Sequence, residues 1–158
     1  MKLHIEFDED LMRDYDRRGA SPFFTIYWMH SQAAYPEEGW MDFGAVVLGW
    51  WLVTAKQITE GAQEGELTFM DGPFRMKIWS VGDDLSVSAA DLDQPWQVAQ
   101  ETFVNELLAG AKRVQRKLQE LGLADREGLK VGVTRLENAI AAQQRQKHVG
   151  AAQKQYAA

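Results

Sequence analysis

The chain contains no cysteine, which excludes disulfides, thiolate nucleophiles and cysteine-bound zinc. It also lacks an apolar run of the roughly 20 residues that a bilayer-spanning helix needs. The most apolar stretch, Phe43 to Ala55, is too short. The three histidines, His4, His30 and His148, have no partner at metal-binding spacing. Gly-x-Gly-x-x-Gly, Gly-Lys-Ser/Thr and Gly-x-Ser-x-Gly are all missing, so nucleotide binding and serine-hydrolase chemistry find no support. Met1 to Asp8 carries acidic residues where a signal peptide needs an apolar core. The expectation is an unprocessed, soluble, cytoplasmic bacterial protein with no cofactor and no metal.

What is present fits one globular domain. At 158 residues the chain can bury a single substantial core, and its 46% hydrophobic content argues against disorder. Net charge is −6, unevenly spread. Residues 1–71 hold 5 basic and 13 acidic side chains, whereas residues 112–158 hold 10 basic and 4 acidic. An acidic body repels phosphates, so general nucleic-acid binding is disfavoured. Lys112, Arg113, Arg116, Lys117, Arg126, Lys130 and Arg135 keep that option open only locally, without the interleaved aromatics of a nucleic-acid surface.

Taken in order, Lys2 to Phe7 alternates apolar and polar and reads as a strand. Asp8 to Pro22 is polar and closed by turn residues, a long loop or a short helical turn. Pro22 to Met29 is aromatic and β-branched, a second strand. Asp42 is a plausible N-cap for a helix to Glu60, with three of the six tryptophans in or beside it. That helix is expected to bury Trp50 and Trp51, with Gly49 marking a close approach by a neighbour. Glu66 to Asp71, Phe74 to Ser80 and Leu85 to Ala89 form a meander punctuated by Asp71-Gly72-Pro73 and Gly82-Asp83-Asp84. Two amphipathic helices follow, from Thr102 to Leu121 and from Arg126 to Gln144. The expected fold is α+β: an antiparallel sheet of about five strands with a buried central helix and two C-terminal helices on one face. Residues 1–140 form the domain, and 141–158 form a low-complexity tail, either disordered or a helical extension.

Two groups of residues stand out as surfaces. Asp8, Glu9, Asp10, Asp14 and Asp16, with Glu37, Glu38 and possible help from Asp42, form an acidic patch; they lack the glycine and terminal glutamate of a calcium loop. Such a patch steers a basic partner. Arg75, Lys77 and Trp79 share the solvent side of the middle hairpin by strand alternation, where a large aromatic needs a cover or a partner. His30 beside Ser31 is a weak catalytic pairing.

In size, acidity, absence of cysteine and absence of catalytic motifs, the chain resembles the small bacterial immunity proteins that neutralise a cognate secreted toxin, a class without a shared fold. The resemblance implies a non-enzymatic protein that occludes a toxin with a basic surface, using the acidic residues named above. Two other readings stay open. One is a small-ligand binder or enzyme with a pocket near the Trp50-Trp51 helix and His30; the other is a homo-oligomeric structural or adaptor protein using the Trp79 face or the tail.

Overall fold

In the computed structural model, which describes residues 1–157, the chain forms two four-stranded antiparallel sheets and four helices. The single five-stranded sheet expected from the sequence is thus two sheets. In sheet A, β1 (Lys2–Glu6) pairs with β2 (Phe24–His30), and β2 also pairs with the short β3 (Ala33–Tyr35) and β4 (Met41–Asp42). Sheet B runs in sequence order: β5 (Glu64–Thr68), β6 (Arg75–Val81), β7 (Asp84–Ser88) and β8 (Trp96–Ala99). The helices are α1 (Glu9–Arg17), α2 (Gly44–Thr59), α3 (Gln100–Leu121) and α4 (Leu129–Tyr156).

The helices do not lie on one face of one sheet. α2 runs between the two sheets, against β2 on one side and β5 on the other, and α3 packs on β1 and β8. The register puts Leu3 opposite Trp28 and Ile5 opposite Ile26 in sheet A, and Leu67 opposite Met76 and Ile78 opposite Val87 in sheet B; all are buried. Aromatic rings join the layers: Trp28 of β2 lies 5.6 Å from Trp51 of α2 and 5.8 Å from Phe103 of α3, and Trp51 lies 5.1 Å from Phe69 beyond β5. α2 also covers the free edge of sheet B. The Trp51 indole N–H donates to the Thr68 carbonyl at 2.8 Å and the Thr54 hydroxyl to that of Glu66 at 2.9 Å, which satisfies edge carbonyls that would otherwise invite pairing.

Asp42 is not the N-cap of α2; Phe43 holds that position without a side-chain cap. Asp42 is instead completely buried. Its carboxylate accepts hydrogen bonds from the Phe43 N–H (2.7 Å), the Trp40 indole (3.2 Å), the Met70 N–H (3.1 Å) and the Asp71 N–H (3.1 Å). A buried carboxylate is tolerable only when so surrounded. The result is a clip between the start of α2 and the β5–β6 tip. Tyr35 makes a second one: its hydroxyl donates to the Arg75 carbonyl and accepts from the Arg75 N–H, each at 3.1 Å. Arg75 lies just past the last β6–β7 pair, Lys77 with Ser88, so the phenol takes the place of the missing strand.

Two further corrections follow from packing. Trp50 is 44% exposed, while Trp51 is fully buried with its indole bonded to the β5 edge. Gly49 meets nothing closer than the Glu127 carbonyl at 3.9 Å; within α2 the glycine that requires close approach is Gly44, where a Cβ would overlap the Phe24 ring. α4 begins at Leu129, after Gly128 in the left-handed conformation, with Asp125 accepting from the N–H groups of Leu129 and Lys130. Leu129, Val133, Leu136 and Ala139 are its buried stripe. From Gln144 onward every described residue is exposed, so the expected tail is a helical arm of about 20 Å at about 1.5 Å per residue.

Truncating Trp51 to Ala is expected to cost about 3–5 kcal/mol, and Trp50→Ala about 0.5 kcal/mol, as for a surface position. Asp42→Ala, which orphans several buried N–H groups, is expected to cost on the order of 3 kcal/mol. Chemical denaturation of the three variants ranks them directly.

Candidate functional site

The open side of sheet B is the candidate binding surface. Strand alternation and register place Glu64, Trp79, Ser86 and Gln97 in one row across all four strands, with Glu66, Lys77 and Ser88 beside it and Thr68 with Arg75 beyond. The same alternation buries Leu67, Met76, Ile78, Leu85, Val87 and Val98 on the other side. Trp79 is 43% exposed and Val81, two residues along the same strand, 62% exposed. The sequence therefore placed Arg75, Lys77 and Trp79 together correctly, and the face they share is open.

Two depressions mark it. One, of about 350 Å³, lies between β5 and β6 and is lined by Glu64, Glu66, Lys77 and Trp79. The other, of about 600 Å³, lies at the Arg75 end and is bordered by Tyr35, Phe74, Arg75, Lys77, Ser88 and Asp91. Burial holds the Tyr35 phenol above its ordinary range, and its hydroxyl is already committed to the Arg75 backbone.

Charge is distributed around this face in a way the acidic patch at the N-terminus is not. Glu64, Glu66, Asp71, Asp84, Asp91 and Asp93 make no ion pair among the described residues, and residues 60–99 contain only two bases, Arg75 and Lys77. On α1 and at its cap all the carboxylates but Asp10 are already engaged. Asp8 caps the helix by accepting from the Leu11 N–H at 3.1 Å. Glu9 pairs with Lys117 at 3.1 Å, Asp14 with Arg17 and Arg18, and Asp16 with Arg126 at 2.9 Å. Donating hydrogen bonds to Glu9 and Glu120 raises the Lys117 amine above its usual value. Of the acidic patch, Asp10, Glu37 and Glu38 remain exposed and unpaired among the described residues, and Asp42 is inside the protein. The patch is two kinds of residue: α1 carboxylates that hold the fold, and a few that are free.

No family model, curated protein or solved structure matches the chain. The site therefore rests on its own geometry. No helix among the described residues is long and apolar enough to cross a membrane. Among them, no group of three or more His, Asp or Glu side chains is placed to hold a metal ion.

His30 is the last residue of β2, and Trp51 lies in the core. Trp51 is sealed, and the His30 Nδ1 lies 3.0 Å from the Met1 amine, with its ring 5.6 Å from that of Trp96. Burial first, and the adjacent ammonium second, hold this imidazole below its ordinary value. Protonation is thus harder in the folded state than in the unfolded one. The stability this represents is complete above about pH 6.5, the unfolded value, and is lost as the pH falls from there through the folded value. His30→Gln is expected to lose less stability than the parent between roughly pH 7 and pH 5, read from denaturation midpoints across that range; parallel curves would show that His30 does not contribute.

Proposed function

We propose that the protein is a non-catalytic binding protein of the immunity type, neutralising a basic protein partner, a toxin in this reading, by covering it with the open face of sheet B. The observation that carries the reading is Trp79, half-exposed in the middle of that face and unpaired with any covering element. Tryptophan and arginine dominate the energetics of protein interfaces, and Arg75 stands on the same face. The six unpaired carboxylates on this half of the molecule would steer a basic surface toward it.

Area decides how much of the face is needed. Four strands at about 4.8 Å spacing and up to seven residues at about 3.3 Å give roughly 450 Å². That is a little over half of the roughly 800 Å² that one partner contributes to a standard interface. The surrounding acidic loops and the exposed flank of α2, with Trp50 and Val53, are the surfaces available to supply the rest. Trp50 lies one helical turn before Thr54, which is bonded to β5, so it borders the same side.

The test is a titration against the product of the adjacent gene. Trp79→Ala is expected to weaken binding by about 2–4 kcal/mol. Reversing Glu64 and Glu66 to Lys is expected to slow association and flatten its salt dependence. An affinity untouched by Trp79→Ala but abolished by reversing Asp10, Glu37 and Glu38 would move the function to the other acidic surface. Solution mass separates the homo-oligomeric reading, which requires a dimer that Trp79→Ala dissociates.

A further inference from the structure

A third concavity borders the Val81 end of the sheet B face, where the end of α2, the β6–β7 turn, the start of α3 and the later part of α4 meet. It holds about 370 Å³. Val104 and Ile140 give it apolar wall, and Asp83, Asp84 and Glu101 give it acid. Its single base is Lys147, whose Nζ lies 3.3 Å from Asp83 Oδ1. Asp84 and Glu101 have no ion-pair partner among the described residues. Thr59 also lines the cavity; it is 4% exposed, and its hydroxyl is buried with no hydrogen-bond partner. The Thr59 carbonyl is already taken by the Gln143 side-chain amide at 3.2 Å, so the hydroxyl is the open valence. A buried hydroxyl left unpaired costs free energy that a ligand would recover.

We propose that this cleft binds a small linear organic cation of the diamine or polyamine class. Its ammonium groups sit on Asp84 and Glu101, the Thr59 hydroxyl accepts one of their hydrogens, and the methylenes lie along Val104 and Ile140. The chain supplies its own precedent, because Lys147 already brings an alkylammonium to Asp83 at the rim. The N-terminus of α3 opens onto the same cleft with a partial positive charge of about one half. Two unpaired carboxylates exceed that about fourfold, so a cation is favoured over an anion. A bare metal ion fits less well, since no group of three or more metal-binding side chains converges among the described residues.

This site shares Asp84 with the carboxylates around sheet B but does not use Trp79, and its test separates the two readings. Calorimetric titration of the protein with spermidine at low salt is expected to show saturable one-site binding. Asp84→Asn with Glu101→Gln, both exposed positions, is expected to weaken it about tenfold or more. Thr59→Val is expected to weaken it as well while leaving the melting temperature unchanged or higher, because the hydroxyl has no partner to lose. Lys147→Ala, by freeing Asp83, is expected to tighten it, and Trp79→Ala to leave it unchanged. An affinity indifferent to the Asp84–Glu101 double change would mean diffuse attraction to an acidic body and would overturn the proposal. So would the absence of saturable binding below about 10 mM.

Discussion

Asp42 is a charge taken wholly out of water, and the arrangement of both sheets depends on its being satisfied there. An isolated carboxylate could not be buried; four N–H donors from two distant parts of the chain make it possible. Because two of those donors, Met70 and Asp71, belong to the β5–β6 tip, the carboxylate locks the start of α2 to sheet B. With that end held, Trp51 and Thr54 fall onto the free edge of β5, and Trp51 meets both Trp28 and Phe69. The Tyr35 hydroxyl on Arg75 closes the other contact between the sheets. What these clips leave uncovered is the outer face of sheet B.

Much of this was legible where period and punctuation are strong. The alternation of Arg75 to Val81 assigned Trp79, Lys77 and Arg75 to the solvent side, and Gly122 ended α3 in the left-handed conformation that glycine tolerates. What escaped was either short or governed from elsewhere in the chain. β3 and β4 are too brief to show a period, and β8 is only four residues long and runs straight into α3, although Trp96 and Val98 alternate with Gln97. α1 hid behind its charge: only Met12 is fully buried, yet an Asp8 cap followed by Leu11, Met12 and Tyr15 at helical spacing was the available signal. Trp50 and Trp51 are neighbours in an uncharged run, and no local rule says which of them meets β5. Asp42 had the sequence of a helix cap, and its partners at residues 70 and 71 are invisible to local reasoning.

Charge, like burial, had to be read in three dimensions. The count of acidic residues pointed to α1, where they are densest. There all but Asp10 are spent on structure: capping the helix, and pairing with Lys117 and Arg126 to tie α1 to α3 and to the turn before α4. Exposed pairs of this sort contribute little individually, but they cancel the local field a partner would sense. The sparser acids around sheet B are the ones left with their charge uncompensated.

The central claim is therefore that a partner meets the sheet B side and not the α1 side. Carbodiimide labelling of exposed carboxylates, with and without the partner bound, tests it most directly. The account predicts that Glu64, Glu66, Asp71 and Asp91 lose labelling in the complex while Asp10, Glu37 and Glu38 keep theirs. Protection of Asp10, Glu37 and Glu38, with the sheet B carboxylates still labelled, would contradict it.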